Sequence, residues 1–296
     1  MADGSVGGRV ATRTRILAFG DVIDDVIAVP EGPIRDDTDT PSTVVMAPGG
    51  SAANSAAWLA SLGASVDFFG MVGAGDAARH AAHLPGVTAH LTEHPTLPTG
   101  AIVVIVDGQR RSMLTSRGAN QAFDPDSVTT ELLTRARVAH FTGHTLLGEA
   151  GAPGIRRFID RANAAGCAVS VSPGSAGFIA DYGVEAFSAA IAGASIVFAS
   201  IDEGRLLTGE DAPAAVAGAL ATSFETVVLT LGAAGVLVDG DLVEAVRVPV
   251  VDPTGAGDAF CAGFLDEWVR TGDALAAARA GTHVAARAVG QMGGRP

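Results

Sequence analysis

Asp252-Pro253-Thr254-Gly255-Ala256-Gly257-Asp258, followed by Ala259, Phe260 and an apolar helical stretch, decides how this chain is read. The apolar run at 245–251 leads in as a strand, so the order is strand, glycine turn, helix. Glycines let the backbone come close to a ligand. Free N–H groups and the positive end of a helix dipole then make an anion site. Asp258 falls at the helix start, where a carboxylate either caps the helix or faces the ligand. Asp252 and Thr254 add oxygen ligands suited to a cation. The same four letters recur at Gly73-Ala74-Gly75-Asp76 after another strand, without the preceding Asp-x-Thr. There they read as a structural turn with Asp76 as the helix cap.

Outward from that string, buried-strand runs at 16–20, 66–72, 138–142, 168–172, 196–199 and 227–231 alternate with helical stretches. The helices fall at 51–62, with Gly63 as C-cap, and at 76–84, 154–165 and 176–192. This alternation predicts an α/β fold: a doubly wound, mostly parallel sheet flanked by helices on both faces. Two β-branched runs break the rhythm. They lie at 43–47 and 101–106, the second turning at Asp107-Gly108 into 112–115 as a hairpin. With no crossover helix between them they predict a small antiparallel sheet, a lid, with strands within 31–48 and 97–118. Arg110 and Arg111 on the hairpin read as solvated edge charges. The whole chain, 1–296, reads as one domain. Gly49-Gly50-Ser51-Ala52-Ala53-Asn54 joins a lid-type strand to a small-residue helix. Its glycine pair permits close contact with a polyhydroxy ligand, and Asn54 both donates and accepts hydrogen bonds.

Composition removes whole classes of function. The 296 residues are 48% hydrophobic and 17% charged, enough apolar surface to exclude disorder as the main state. The net charge of −13 disfavours nucleic acid and anionic membrane surfaces. All 19 basic residues are Arg, so any mechanism needing a Lys ammonium is excluded: the Walker A loop, the pyridoxal phosphate Schiff base, the protein-kinase strand Lys. Cys167 and Cys261 read as buried small hydrophobes of a reducing compartment. The first fifteen residues have no apolar core and do not form a signal peptide. The longest apolar run, 186–201, is shorter than the ~20 residues a bilayer span needs. Gly193 breaks it into a helix end, a turn and a buried strand. A soluble, cytoplasmic protein is expected. His90 with His94 and His140 with His144 have i,i+4 spacing but lie in strand or loop stretches, where that spacing makes no zinc site.

Gly-Gly-x-x-x-Asn at 49–54, with Asp-x-Thr-Gly-Ala-Gly-Asp at 252–258, resembles the PfkB (ribokinase-like) carbohydrate and nucleoside kinases. The resemblance runs over nearly the whole chain, with both signatures in order and at the family's separation. It implies ATP-dependent phosphoryl transfer to a primary hydroxyl, with Mg2+ and, at Asp252 and Thr254, a monovalent cation such as K+. It implies Asp258 as general base and the Gly255, Ala256 and Gly257 amides as an anion hole. Asp25, five residues after Gly20, together with Gly49, Gly50 and Asn54, would hold the substrate. Strand alternation puts only one of Asp24 and Asp25 on the site side, and the resemblance selects Asp25. Thr230, Gly232, Gly235, Gly257 and His283 would lie at the nucleotide, and Glu203 would be linked to Mg2+. A lid of this kind excludes water, and an exposed sheet edge permits a homodimer through lid strands.

Four departures bear on substrate and metal. Ser200 replaces the Asn of the family's Asn-x-x-Glu, and Ser172-Pro173-Gly174 replaces Asp-x-Asn. Ser51 stands where ribokinases have Lys, and His144 about where they place an acidic sugar ligand; both argue against ribose. The expected substrate is a sugar or sugar derivative. The alternatives are a nucleoside kinase of the same fold and a catalytically degenerate ligand-binding homologue. With 12 Phe, 2 Trp and 1 Tyr, aromatic lining for a base is scarce, Trp58 and Phe123 being the candidates. A dinucleotide-dependent dehydrogenase is disfavoured, because no Gly-x-Gly-x-x-Gly follows the first strand.

Overall fold

Runs of about five apolar residues, buried on both faces, build the main sheet, as a parallel sheet under two helical layers requires. The structure is a computed structural model and describes residues 14–107 and 110–296. The turn residues Gly108 and Gln109, the side chains of Asp107, Arg110 and Arg111, and residues 1–13 lie outside the described set.

The chain begins with β1 (Arg15–Phe19), leaves the core for β2 (Ile23–Pro30) and β3 (Ser42–Gly49), and returns through α1 (Ser51–Ser61) to β4 (Val66–Gly73), α2 (Ala77–Ala82) and β5 (Thr88–His94). A second excursion, β6 (Gly100–Asp107) and β7 (Arg110–Ser116), precedes α3 (Thr130–Arg135), β8 (Ala136–Thr142), α4 (Gly151–Ala164) and β9 (Ala168–Ser172). Then come α5 (Ala176–Tyr182), α6 (Val184–Ala190), β10 (Ile196–Ser200), α7 (Ile201–Thr208), α8 (Pro213–Leu220) and β11 (Thr226–Thr230). A hairpin of β12 (Val236–Val238) and β13 (Asp241–Val243) leads to α9 (Ala256–Thr271) and α10 (Ala274–Val289).

The main sheet has the order β13-β12-β11-β10-β9-β8-β1-β4-β5, parallel from β11 to β5 and antiparallel at the β12–β13 edge. Helices α1, α9 and α10 cover one face, and α3 to α8 cover the other. On the second face Phe19 stacks on Phe123 and Phe141 and meets Phe158 edge-on at 4.7 Å. Truncating such a ring costs about 3–5 kcal/mol. Among the described residues no helix is long and apolar enough to cross a membrane.

The small sheet runs β3-β2-β6-β7. Its outer pairs are antiparallel, but the central pair β2–β6 is parallel, because α1, β4, α2 and β5 form a crossover between them. The strand β2 lies outside both stretches expected to hold the lid. Three further expectations need correction. The helix expected over 176–192 breaks at Gly183, which adopts φ 94° between α5 and α6. The run 245–251 is not a strand: it follows the edge strand β13, pairs with no strand among the described residues, and its Val251 amide bonds the Val289 carbonyl at the end of α10. Asp76 occupies the N-cap of α2 but its side chain makes no cap bond; it turns to Thr99 and Arg79 instead.

Candidate active site

Asp258 sits in the first turn of α9 and points across to α1. Its Oδ1 accepts from Ser51 Oγ at 2.5 Å, and its Oδ2 accepts from Asn54 Nδ2 at 3.0 Å. Ser51 and Asn54 are one turn apart, so both reach the carboxylate from one face of α1. The turn that delivers Asp258 depends on Gly255, which caps α9 at φ 75°. A Cβ there would fall 2.6 Å from the Gly294 Cα. The glycine pair before α1 is equally constrained. Gly50 adopts φ 96°, and a Cβ on Gly49 would fall 2.2 Å from the Asp25 carboxylate. These glycines are spaces that the site's own atoms occupy.

Asp25 lies on β2 opposite Ala47. Asp24 faces the other way, where Arg79 grips it with bonds of 2.7 and 2.9 Å. Asp24, Asp76 and His80 offer ligand atoms within 4.8 Å of one another, but the Arg79 guanidinium already lies on both carboxylates. Asp25 and Asp258 are both pushed up to about 6, chiefly by burial. For Asp258 the bonds from Ser51 and Asn54 and the charge of Arg295 oppose the rise, while Asp25 adds to it. A carboxylate titrating near 6 is ionised at neutral pH yet basic enough to share a hydroxyl proton.

Beside the α9 N-terminus opens a cavity of about 450 Å³, lined by Thr230, Gly232, Gly235, Val246, Gly257 and Phe260 among others. It collects four of the expected nucleotide contacts and the run 245–250. His283 is not among them: it is exposed on α10 and lines an adjoining groove that shares Val246 and Val248 with the cavity. Trp58 and Phe123 are buried in the core and offer no stacking face to the cleft. A second cavity of about 420 Å³, between α6 and α8, carries no titratable side chain.

Asp252 is buried. Its Oδ1 accepts from the Thr254 amide at 2.9 Å and its Oδ2 from the Gly293 amide at 3.1 Å, so it staples the glycine turn before α9 to the segment after α10. Ser200 caps α7: its Oγ accepts from the Glu203 amide, and Glu203 Oε2 accepts from the Ser200 amide at 2.7 Å. Burial raises the Glu203 pKa, opposed by these bonds and by the Gly174 amide. His144 lies against Gly174 and tilts over Phe178, and burial lowers its pKa in the company of the Asp21–Arg117 ion pair. His140 is fully buried beside Ser170 and Cys261, and burial brings it down to about 4, a neutral ring. His90 pairs with Asp67, and His94 accepts from the Leu97 amide. Cys167 and Cys261 are both buried.

Two residues at the centre were not read as site residues. Ser51 was legible as the residue after the glycine pair, one turn before Asn54. Arg295 carried no signal, since no local pattern marks it. Its guanidinium donates to Asn54 Oδ1, the His83 carbonyl and the Gly49 carbonyl, at 3.0, 3.1 and 2.8 Å.

A family model described as pfkB family carbohydrate kinase matches residues 13–296. The chain is 28% identical to a ribokinase of Haemophilus influenzae, covering 90% of this chain and 92% of that one. It is 29% identical to an ATP-dependent ribose-1-phosphate kinase of Halopiger xanaduensis, covering 95% and 94%. The crystal structure of adenosine kinase from Sinorhizobium meliloti superposes with a TM-score of 0.84 at 27% identity, over 96% of both chains.

Proposed function

The chain belongs to the pfkB family of carbohydrate kinases and is a phosphotransferase acting on an alcohol group, and from that premise we propose its reaction and its residues. The proposed reaction is transfer of the γ-phosphoryl group of ATP to a primary hydroxyl of a sugar or sugar derivative. The observation that carries it is the Asp258 carboxylate, held by Ser51 and Asn54 at the N-terminus of α9 and raised to about 6.

In this reading Asp258 accepts the proton of the attacking hydroxyl. Asp25 and Asn54 orient the sugar, and Gly49 and Gly50 let it approach the backbone. The Gly255, Ala256 and Gly257 amides, backed by the positive end of the sixteen-residue helix α9, stabilise the charge that develops opposite Asp258. The cavity beside that turn is the proposed nucleotide site: its walls are mostly apolar, and Gly257 of the turn lines it, where the phosphates would lie. Bound there, ATP supplies the phosphoryl group, and Mg2+ linked through Glu203 neutralises its charge. The relative named as ATP-dependent supports ATP as the donor. Asp252 and Thr254 are the proposed ligands of a monovalent cation such as K+.

A sugar is favoured over a nucleoside because the two aromatic side chains that could stack on a base, Trp58 and Phe123, are buried in the core. A lid-to-lid homodimer is proposed from the small sheet, which exposes Val44, Met46, Met113 and Leu114, Met46 to 73%. The test is ADP release with Mg-ATP and K+ across a panel of sugars, sugar acids, polyols and nucleosides. Release with one class assigns the substrate. Asp258→Asn should cut that turnover by at least ~10²-fold while ATP binding survives. Near-full activity of the variant would remove Asp258 from the role of base. Ligand binding without ADP release would favour a degenerate binding protein.

A further inference from the structure

The segment 291–296 runs back from α10 over the site and is fastened on three sides. The Trp58 indole on α1 donates to the Gly294 carbonyl at 3.0 Å, and the Gly293 amide donates to Asp252 in the glycine turn before α9. Gly294 itself lies against Gly255 and the Asn54 amide, where no larger residue fits. This segment carries Arg295 into the cleft. Its Nε donates to Asn54 Oδ1, one terminal nitrogen to the His83 carbonyl after α2, and the other to the Gly49 carbonyl at the end of β3. One planar fork therefore bonds three elements that are far apart in sequence.

The bond to Asn54 has a chemical consequence. A side-chain amide has one oxygen and one nitrogen. With the oxygen committed to Arg295, the nitrogen has to face Asp258, and it does so at 3.0 Å. The bond to Gly49 has a second consequence. Gly49 and Gly50 join the small sheet to α1, so the fork also ties that junction to the core.

Resting on the reading of Asp258 as base, we propose that Arg295 is the positioning residue of this site: it fixes the Asn54 amide that aims Asp258, and it ties the junction of the small sheet and α1 to the core. Electrostatics support the assignment. Asp25 on β2 and Asp258 on α9 face each other across the cleft, and Arg295 is the cation that faces both. Burial brings its own pKa down to about 10, so it stays charged at neutral pH. Asp24 and Arg79 lie behind Asp25, and the Cys261 thiol behind Asp258 is held neutral by burial.

The test uses the full chain carrying Arg295→Ala or Arg295→Lys. Lys keeps the charge but not the fork. In the substrate-free protein labelled with 13C at the aspartate carboxyls, and with peaks assigned by Asp25→Asn and Asp258→Asn, Ala should move both titration midpoints to higher pH. Lys should leave them in place. With Mg-ATP and the acceptor found in the ADP-release panel, both variants should lose ~10²-fold in kcat while the KM for ATP holds. Millimolar guanidinium ion should restore part of the Ala variant's turnover. Unchanged midpoints and unchanged kcat in the Ala variant would overturn the proposal. So would wild-type kcat in the Lys variant, which decides the matter if the Ala variant does not fold. The carboxyl titration needs no acceptor, so it stands or falls separately from the kinase assignment.

Discussion

Replacing Asp258 by Asn is expected to alter how the fold responds to acid, whatever the substrate proves to be. Burial lifts this carboxyl from 3.8 to about 6 in the folded protein, so the native state binds its proton more tightly than the unfolded chain does. The sign follows from that inequality. Asp258 contributes nothing extra well above pH 6 and an increasing stabilisation as the pH falls from 6 toward 3.8. Integrated from pH 7.5 to 5.0, the linkage amounts to about 1.4 kcal/mol. Because the residue is only half-buried, about 1 kcal/mol is the working figure. The Asn variant lacks this term. It also sets its own amide nitrogen against Ser51 or against Asn54, whose amide Arg295 prevents from flipping. That offset does not depend on pH and cancels in the comparison. Loss of the Asp258 charge also draws Asp25 down, which adds to the difference with the same sign. The assay is urea unfolding of both proteins at pH 7.5 and 5.0. Wild type should gain about 1 kcal/mol more than the variant on acidification, roughly 1.5 °C in a thermal melt of a chain this long. Equal responses would mean that the carboxylate is fully solvated, and the case for it as a tuned base would fail.

Other expectations follow from the same geometry. If Asp258 is the base proposed, the acid limb of kcat/KM should fall near pH 6, where it ionises; a limb near pH 4 would contradict this. Gly49→Ala puts a methyl group into the Asp25 carboxylate and should raise the acceptor KM ~10-fold or more, with ATP affinity retained; an unchanged KM would free Asp25 from substrate binding. Ser200→Ala should cost about 1 kcal/mol in unfolding free energy, and Ser200→Asn much less, because Asn also caps helices. Met46→Glu should shift the sedimentation of the protein toward a monomer; a profile identical to wild type would place any dimer contact elsewhere.

The site's core was readable because its chemistry is local. Seven consecutive residues carry the cap glycine and the Asp258 carboxylate, and six more carry the glycine pair and Asn54. Gly49, Gly50 and Gly255 each have a spatial reason that sequence alone expresses as an omission. The run 245–251 misled because β-branched residues mark a preference for extended backbone, whereas a strand also needs a neighbour to bond. Asp76 misled in a similar way: the position was that of a cap, but Thr99 and Arg79 compete for its oxygens. Ser200, read as a departure that bears on the metal, caps α7 and holds the Glu203 side chain on its own amide. Arg295 was invisible because its partners at 49, 54 and 83 are brought to it only by the finished fold.

The parallel pairing of β2 with β6 has a consequence for assembly. It joins Ile23 to Gly100 and so closes a loop that contains α1, β4, α2 and β5. The entropy of closing so long a loop is lost before the β2–β6 contacts repay it, whereas the β2–β3 and β6–β7 pairs are local. The nucleating contacts are therefore expected in the core around β1, β4 and α1, with the four-stranded sheet zipping last. Until it does, its β-branched strands, rich in Val and Ile, are unpaired edges prone to bonding a neighbouring chain. Amide exchange would register this as a small sheet whose protons exchange through openings well below the global free energy. In crowded expression, yield would then be limited by how fast the lid finds its own centre strand.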